Sequence, residues 1–408
     1  MQLDNSLSQR QGLAQETTAD GTRVRYAQRV GSLKLTLNLA NQRRPSSAGR
    51  ETMNHRKTER TMATKYLFIA GCIALSAALP AFAADDVALL RQAQQIFQPL
   101  PKYTSDPGTT LAREQVALGR RLFFDPRITA DGDVSCATCH QPALYGTDGK
   151  PTSIGVKQRL HPRNAPTIFN AALYSIIHWR GDRESLEDQA KQALTGAISS
   201  GLDERDVIDR LRRIDGYAPF FAAAFPTDSN PMTVKNMANA IVAYERTLLT
   251  PAPFDAYLAG NVDALSLGAR KGLETFINTG CVACHNGIGI GGSVYRKFGI
   301  VEDYWPATGS RSIDKGRVDV TKNPDDLYVF RVPSLRNVAM TAPYFHDGSV
   351  ATLAEAVKVM GRVQLGMNLG DAEISGIMSF LNSLTGEPPT EFAAPPVLPP
   401  AAVTAPQR

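Results

Sequence analysis

The 408-residue chain is poor in cysteine and histidine, and most of it carries little net charge. It contains five cysteines and six histidines. Residues 1–83 hold 12 Lys and Arg against 5 Asp and Glu, which leaves 32 basic and 34 acidic residues in the remainder. Nucleic-acid and membrane-surface binding both depend on an excess of positive charge. The chain after residue 83 therefore gives no support for either, and we expect no nucleic-acid partner.

Segments that alternate between apolar and polar residues, as strands do, are also scarce. Helical spacing is common instead: Leu186, Ala190 and Leu194 fall on one face, and Ser185 with Asp188 predicts a capping box at the start of that helix. The same spacing recurs in three further segments, 232–250, 352–360 and 371–386. The fold class that this pattern predicts is mainly α.

One long apolar run occurs near the start of the chain, after Met62. It has a short basic beginning, and it ends in the small-residue pattern Ala81-Phe82-Ala83. These are the parts of an export signal that is cleaved before Ala84. A transmembrane helix is the weaker alternative, because the run is short and is broken by Pro80. We therefore predict an export signal over residues 53–83, preceded by an over-extended or disordered N-terminus over residues 1–52.

Cys72 lies inside this run, after Ile69-Ala70-Gly71, in an arrangement that resembles a lipoprotein signal. Only about six apolar residues precede Cys72, fewer than the roughly 7 to 15 of a typical signal. Lipid anchoring through Cys72 is therefore the less favoured alternative to release of the exported protein.

The other four cysteines occur as two identical motifs. Cys136-Ala-Thr-Cys139-His140 is repeated as Cys281-Val-Ala-Cys284-His285. On a helical turn, positions i, i+3 and i+4 lie on one face, so two thiols and an imidazole project together. A c-type haem requires this set, because the cysteines form thioethers with its vinyl groups and the histidine binds the iron.

Three other interpretations of these motifs remain open. A zinc site that pools both cysteine pairs would leave the two histidines without a role. A thioredoxin-like redox pair would explain one copy, within a βαβ pattern that the sequence does not show. Two ordinary disulfides are the third. Covalent attachment of two haems explains both copies and both histidines, and it is the interpretation that we favour.

A similar helix precedes each motif. Both helices contain Leu-Gly-x-Arg, beginning at Leu118 and at Leu267, which indicates a weak internal repeat. The Pro251-Ala-Pro253 segment is a natural boundary between two such units. We therefore predict two cytochrome c-like haem domains in tandem, over residues 84–250 and 251–387. Residues 388–408 are rich in Pro and Ala, which predicts an extended tail outside the core.

Four further segments, together with the two haem motifs, carry a resemblance to a known family. They read PRNAPTIFNAAL (162–173), HWRGDRESLEDQA (178–190), FRVPSLRNVAMTAPYFHDGSVATLAEAV (330–357) and QLG (364–366). With these motifs the chain resembles the bacterial di-haem cytochrome c peroxidase family. The superfamily also includes the methylamine-utilisation di-haem enzyme, which oxidises tryptophans on a partner protein.

The resemblance implies a different role for each haem. The haem on Cys136, Cys139 and His140 is expected to meet hydrogen peroxide, and the haem on Cys281, Cys284 and His285 to receive electrons. A sixth ligand to the second iron is implied at Met360, with Met367 as the fallback. A thioether ligand favours reduced iron. In the tryptophan-oxidising relative this ligand is a tyrosine, so the methionine favours the peroxidase branch.

Several other residues receive roles from the resemblance alone. Trp179 matches the aromatic residue between the two haems. Gln189, on the helix before the family's proton-transferring glutamate, is retained, and both are expected to be catalytic residues. Asn164, with the backbone carbonyls of Thr341 and Pro343, matches the family's calcium site, for which neutral oxygen ligands are suitable. Arg331 and His346 lie in matched motifs near haem edges or propionates, although structural hydrogen-bonding roles would explain them equally well.

At two places the chain departs from the family pattern. The displaceable distal histidine of the family falls on Val156, so the first iron is predicted to be open, with ligation by His161 as the alternative. The family's proton-transferring glutamate falls on Ser199. Asp203 and Glu204 are the nearby carboxylates, but they more readily begin the next helix. A nearby proline of the family is Ala193 here.

The function that follows is a periplasmic peroxidase with two c-type haems and one calcium ion, which reduces hydrogen peroxide to water. Its electrons would come from a small donor protein, a cytochrome c or a cupredoxin. The family's peroxidases are often dimers, which makes a homodimer an expectation as well. Two alternatives are an electron-transfer di-haem cytochrome without peroxide turnover and a high-valent-haem oxidase of a partner protein. They remain open because Val156 and Ser199 replace the family's distal histidine and its proton-transferring glutamate.

Overall fold

The computed structural model describes residues 81–102 and 110–400. These residues belong to the second of two units into which the chain divides, Leu75–Arg408. The predictions for residues 1–52, for Cys72 and for most of the export signal lie outside the described residues. Within the described ranges, no helix has both the length and the apolar character that crossing a membrane would require.

Helices dominate the described residues, which confirms the predicted fold class. In chain order they are α1 Ala81–Ile96, α2 Thr110–Phe124, α3 Cys136–Cys139, α4 Leu186–Thr195, α5 Glu204–Arg212, α6 Tyr217–Ala224, α7 Val234–Glu245, α8 Pro253–Leu258, α9 Leu267–Asn278, α10 Tyr304–Thr308, α11 Val318–Thr321, α12 Leu353–Leu365, α13 Asp371–Asn382 and α14 Thr390–Ala393. A two-stranded antiparallel sheet joins β1 (Tyr295–Lys297) to β2 (Val329–Arg331), with Tyr295 opposite Arg331.

The helix that was predicted from its capping signal is α4. The Ser185 hydroxyl accepts a hydrogen bond from the Asp188 backbone N–H at 3.1 Å, and Ala190 and Leu194 are buried as predicted. The other three predicted helical segments correspond to α7, α12 and α13. Local sequence signals therefore give the position of each of these four helices.

The two largest hydrophobic cores organise the described residues. Helices α2, α4, α5, α6 and α7 contribute to the first core, and α1, α8, α9 and α13 contribute to the second. In each core one helix that precedes a Cys-x-x-Cys-His motif packs closely against a later helix: α2 against α7, and α9 against α13. The two halves of the chain thus repeat one helix-packing arrangement.

A glycine permits the close approach in each of these helix pairs. A Cβ added to Gly119 would lie 1.8 Å from the Ala240 carbonyl oxygen, and one added to Gly272 would lie 1.8 Å from the Gly376 carbonyl oxygen. A buried phenylalanine, Phe123 or Phe276, follows four residues later. The structural repeat is therefore Gly-x-x-x-Phe.

The predicted register of this repeat, which paired the Leu-Gly-x-Arg sequences, is wrong. It matched Gly119 with Gly268, but a Cβ on Gly268 would meet nothing closer than the Ser379 side chain at 3.7 Å. The segment between the phenylalanine and the first cysteine is longer in the first half than in the second. Because of this difference, Gly119 and Gly272 are separated from their first cysteines by different numbers of residues.

We expect Gly272→Ala to lower the free energy of unfolding by about 2 kcal/mol, because the clash with the α13 backbone outweighs the higher helix propensity of alanine. The matched control is Gly268→Ala on the same helix, which should change stability by less than about 0.5 kcal/mol. Urea unfolding followed by circular dichroism measures both. Equal stability of the two variants would contradict the close helix crossing at Gly272.

A second repeat follows, with a constant separation of 167 positions along the chain. Asn170 and Asn337 both have φ of 60°, and each begins a short 3₁₀ turn. Further along, His178 (φ 66°) corresponds to Phe345 (φ 69°). The N-caps of α4 and α12, Ser185 and Thr352, also correspond. Each half therefore carries the same loop leading into the same helix.

The two loops meet at one buried hydroxyl group. Thr250 Oγ1 accepts a hydrogen bond from Asn170 Nδ2 at 2.8 Å and another from Asn337 Nδ2 at 2.9 Å. Both asparagines and Thr250 are almost completely buried. Because Thr250 ends the first half of the chain, this contact fixes the relative position of the two loops.

Each end of the described chain packs in the core of the opposite half, which differs from the predicted domain limits. Phe97 packs in the second core, although residues 84–250 were expected to form the first domain. Phe392 is fully buried in the first core, with its ring centroid 5.0 Å from that of Phe169. Residues 388–408 were expected to form a tail outside the core, so for Phe392 the structure differs from this expectation. Burial of a phenylalanine against other aromatic rings outweighs the effect of the surrounding prolines.

Candidate active site

Both Cys-x-x-Cys-His motifs form a single helical turn. Cys136–Cys139 is α3, and Cys281–Ala283 is a 3₁₀ turn that follows Gly280 at φ 87°. In each motif the histidine N–H donates a 3.0 Å hydrogen bond to the carbonyl of the first cysteine. The four thiols are free, so the disulfide interpretation finds no support among the described residues.

The two motif histidines are oriented in the same way. Nδ1 of His140 lies 2.9 Å from the Gly146 carbonyl oxygen, and Nδ1 of His285 lies 3.3 Å from the Ile290 carbonyl oxygen. A carbonyl oxygen only accepts, so Nδ1 carries the proton in both rings and Nε2 keeps its lone pair. This is how proteins orient histidines that bind metals through Nε2.

Burial keeps both imidazoles neutral. It lowers the pKa of His285 to about 4, and it lowers the pKa of His140 against the opposing effect of the hydrogen bond to Gly146. A neutral ring is the form that binds iron. The residues of both motifs therefore have the chemistry that a haem requires of its proximal ligand.

A cavity of about 530 Å³ opens beside the first motif. This volume lies within the range of cofactor sites. The predicted residues that line it are Cys136, Cys139, His140, His161, Asn164, Trp179, Gln189, Ala193, Ser199 and Arg331. The cavity wall also contains ionisable residues without a predicted role, among them His178, Asp182 and Glu245.

Arg331 gives a specific reason for the cavity to hold an anionic group. The whole residue is only 5% exposed, and its Nε has no hydrogen-bond partner among the described residues. Its described contacts are neutral: the Ile176 carbonyl oxygen at 3.5 Å from Nη1 and the Tyr174 ring at 5.6 Å. A buried guanidinium requires a partner. A haem propionate would supply one, so the lining residues fit this cofactor.

Glu245 is a buried carboxyl group on the cavity wall. Burial raises the pKa of Glu245 to about 8. Burial, and to a lesser extent the charge of Glu245, raises the pKa of Cys136 to about 12, so this thiol stays protonated. Glu245 thus lies near the end of the cavity where Cys136 would tether the cofactor.

The two departures from the family pattern occupy different environments. Val156 is fully buried but is not part of the cavity wall, and it packs beside Gly201. Ser199 does line the cavity, and its hydroxyl donates to the Ala193 carbonyl oxygen at 2.8 Å. Asp203 caps α5, in agreement with its predicted place at the start of that helix. At the position of the family glutamate, the cavity therefore has a hydroxyl group that is already hydrogen-bonded.

Trp179 joins this cavity to an aromatic cluster in the second half of the chain. The cluster contains Phe298, Tyr304, Phe330, Val359 and Val363, with Trp179, Met360, Tyr328, Trp305 and Phe345 packed against it. His346 stacks on Phe330 at 4.5 Å and meets Trp179 edge-on at 6.3 Å. Met360 therefore packs in the same cluster as Trp179, and its ligation of iron stays a prediction.

One of the predicted calcium ligands, Asn164, is hydrogen-bonded to the segment that follows the other two, Thr341 and Pro343. The Asn164 backbone N–H donates to the His346 carbonyl oxygen at 2.8 Å, and the Trp179 indole N–H donates to the Asn164 carbonyl oxygen at 2.9 Å. His346 is three residues from Pro343 and five from Thr341. The Asn164 side chain donates from Nδ2 to the Lys150 carbonyl oxygen, which leaves Oδ1 as its acceptor. Calcium binding at this site stays a prediction.

Known proteins have sequences similar to that of this chain. Residues 113–263 match the sequence profile of the family described as di-haem cytochrome c peroxidase. The chain is 42% identical to cytochrome c551 peroxidase of Pseudomonas aeruginosa over 85% of its own length and 99% of that protein. It is 31% identical to the methylamine utilization protein MauG of Methylorubrum extorquens, over 74% and 86% of the two chains.

A solved structure has a similar fold. It is a MauG-like protein associated with microbial copper homeostasis, 30% identical, which covers 72% of this chain and 97% of its own at a TM-score of 0.64. The similarity extends over both halves of the described chain, beyond the segment that matches the family profile.

Proposed function

Because the chain belongs to the di-haem cytochrome c peroxidase family, we propose that it is a periplasmic peroxidase that reduces hydrogen peroxide to water with electrons from a small redox protein. Two c-type haems follow from the family, and the observation that supports a peroxide site most directly is the cavity beside His140. The haem-binding residues in this proposal are Cys136, Cys139 and His140 in the first domain, and Cys281, Cys284, His285 and Met360 in the second.

The two haems have different tasks in this proposal, and the repeat of 167 positions supports this difference. The counterpart of Met360 on α12 is Ala193 on α4, and Ala193 lines the cavity. A methionine thioether can bind iron, whereas an alanine methyl group cannot. Met360 would therefore help to hold the second haem, whereas the cavity wall at Ala193 would leave space for peroxide beside the first.

The described residues of the first site would bind and orient the reactants. Cys136 and Cys139 would add their S–H groups to the haem vinyl groups, His140 Nε2 would bind the iron, and Arg331 would pair with a propionate. The bound haem supplies an iron centre at which peroxide binds and is reduced. Gln189 on α4 reaches the same cavity and provides an amide that hydrogen-bonds peroxide.

Trp179 gives electrons a route into the first site. It lines the cavity and also packs in the aromatic cluster that contains Met360. Electrons from the donor, a cytochrome c or a cupredoxin, enter at the second haem and pass Trp179. We further propose a calcium ion at Asn164, Thr341 and Pro343, between the two halves, and a homodimer as the assembled state.

Two other functions have specific support. An electron-transfer di-haem cytochrome without peroxide turnover is favoured by Ser199, which replaces the family glutamate in the cavity wall. Oxidation of a partner protein is favoured by the similarity to the MauG relatives, but Met360 at the predicted ligand position weighs against it. Both alternatives predict that peroxide consumption with a reduced donor stays low.

The proposed function is tested by measuring peroxide consumption by the haem-loaded protein with a reduced small cytochrome c. Turnover is expected to exceed that of free haem at equal iron concentration by at least ~100-fold, in keeping with general acid–base assistance at the site. The double variant Cys136→Ala/Cys139→Ala, which retains the second motif, should lose this turnover. Wild-type turnover no faster than free haem would overturn the peroxidase proposal.

A further inference from the structure

A histidine of the cavity wall forms a pair with a carboxylate that the family motifs do not assign. His178 lines the cavity, and its Nδ1 lies 3.4 Å from Asp182 Oδ1. We propose that His178, oriented by Asp182, transfers the proton when peroxide is cleaved at the first haem, in place of the glutamate that Ser199 replaces. This proposal rests on the peroxidase function proposed above.

The loop between Ile177 and Arg183 holds the pair in place. These two residues form an antiparallel bridge, which closes a tight loop around His178 and Asp182. Nη2 of Arg180 lies 3.3 Å from Asp182 Oδ2, and Nη1 of Arg183 lies 2.9 Å from the same oxygen. The carboxylate is therefore fixed from one side by two guanidinium groups and faces the imidazole with its other oxygen.

Asp182 remains ionised in this environment. Burial opposes its charge, but the hydrogen bond from His178 and the charges of His178, Arg183 and Arg180 outweigh burial and lower the pKa of Asp182. An ionised carboxylate next to Nδ1 stabilises the tautomer with the proton on Nδ1. Nε2 of His178, which has no hydrogen-bond partner among the described residues, is then the nitrogen that accepts and returns a proton.

The repeat shows that the backbone does not require a histidine at this position. The equivalent loop of the second half is closed by the bridge between Tyr344 and Val350, and its Phe345 adopts φ of 69° against 66° for His178. A phenylalanine therefore fits the same left-handed conformation. The imidazole at position 178 is a chemical difference between two otherwise equivalent loops.

The other polar groups of the cavity are less suited to the task. Ser199 is already bonded to the Ala193 carbonyl oxygen, and the Gln189 amide does not titrate at physiological pH. Glu245 lies near Cys136, where the cofactor would be tethered. His161 also lines the cavity, but no carboxylate is paired with it among the described residues. His178 is the one histidine of the cavity wall with both an ionised partner and an available nitrogen in that part of the chain.

Hydrogen peroxide, two electrons and two protons give two water molecules, with the electrons supplied by the redox partner and the protons by solvent. With haem bound at the first motif, His178 would take a proton from one oxygen of the peroxide and deliver it to the other. The protonated oxygen would leave as water when the O–O bond breaks, and His178 would return to its neutral form. The remaining oxygen would be released as the second water once the two electrons and two protons have been supplied.

The test compares His178→Phe and His178→Asn with wild-type protein in two stopped-flow measurements. The first is the rate of the haem spectral change on mixing with peroxide, which we expect to fall at least ~100-fold in both variants. The second is the association rate of cyanide, since hydrogen cyanide must lose a proton to bind iron. It should fall at least ~10-fold, since the same base assists. Asp182→Asn, which keeps the imidazole but removes the carboxylate that orients it, should have a smaller effect on both rates.

The pH profile distinguishes proton transfer from a structural role. The wild-type rate should decline at low pH as an imidazole becomes protonated, and the decline should be absent from His178→Phe. The charged or titratable groups around His178 are Asp182, Asp188, His161, His140, Arg180 and Arg183. If the decline persists in His178→Phe and disappears in His161→Phe, the proposal is wrong and His161 is the proton acceptor.

The control for an aromatic residue in the left-handed conformation is Lys322→Phe, at an exposed position with φ of 61° outside the cavity wall. It should retain wild-type rates, and haem content should be equal in all variants. Wild-type cyanide association equal to that of His178→Phe would overturn the inference. A wild-type protein that binds cyanide quickly but does not react with peroxide would instead overturn the proposed peroxidase function and leave the base at His178 supported.

Discussion

Replacement of Cys281 and Cys284 with alanine is expected to leave a protein with one covalent haem instead of two. Each motif forms its own helical turn, and each histidine is oriented by its own carbonyl group, Gly146 for His140 and Ile290 for His285. Because no residue is shared between the two attachment turns, loss of one pair of thiols removes the thioethers of that haem alone. The corresponding replacement of Cys136 and Cys139 should remove the other haem.

The measurement is the ratio of haem to protein by pyridine haemochrome absorbance, together with the intact mass after denaturation. The expected ratio is two for the wild-type protein and one for each double variant. Cys72→Ala serves as the control, since Cys72 lies in the predicted export signal, and it should leave both haems in place. A wild-type protein with zinc and no covalent porphyrin would contradict the haem interpretation of both motifs.

Much of the secondary structure was predictable because its signals are local. The capping serine of α4 and the apolar spacing of α7, α12 and α13 correspond to helices in the structure. The register of the repeat was not predictable from Leu-Gly-x-Arg. The relevant glycines, Gly119 and Gly272, are defined by what they pack against, and those contacts lie on α7 and α13.

The candidate site was predictable in part for the same reason. The spacing of Cys136, Cys139 and His140 predicts their common turn. The presence of Glu245 in the same cavity depends on how α7 packs against the rest of the first core, which no local pattern records. The pairing of His178 with Asp182 is a four-residue separation outside any helix, so helical periodicity does not indicate it.

The comparison of equivalent positions carries information that neither half gives alone. Met360 and Ala193 follow the same N-cap and occupy the same position on α12 and α4, and His178 and Phe345 occupy the same loop position. The second half therefore has a predicted iron ligand, Met360, and an apolar ring, Phe345. The first half has a small residue, Ala193, and an imidazole, His178, at the same positions. Such a division suits one site that exchanges electrons and another that binds a small oxidant and moves protons.

The second large effect that we expect is on stability, at the buried ion pair between Arg336 and Asp255. Nη1 and Nη2 of Arg336 lie 2.9 Å from the two carboxylate oxygens of Asp255, and the arginine side chain is 1% exposed. Removing one partner leaves an unpaired charge in the interior, which costs about 3 to 5 kcal/mol. Asp255→Asn and Arg336→Met should each lower the free energy of unfolding by this amount.

This ion pair also holds the segment that follows α1, which carries Phe97, against the second core. The Leu100 backbone N–H donates to Asp255 Oδ1 at 2.7 Å, and Arg336 Nη2 donates to the Gln98 carbonyl oxygen at 3.3 Å. Loss of Asp255 therefore frees the segment that carries Phe97, and amide hydrogen exchange should increase there before the rest of the second core opens.

Urea unfolding of the haem-loaded protein, followed by circular dichroism, measures the loss of stability. The exposed pair between Arg362 and Glu302 is the matched control, and Glu302→Gln should produce little change because water screens that pair. The double variant Asp255→Leu/Arg336→Met should recover part of the loss, since it removes both buried charges together. Single variants as stable as Glu302→Gln, or exchange that stays slow around Phe97, would show that the ion pair does not hold the segment that follows α1.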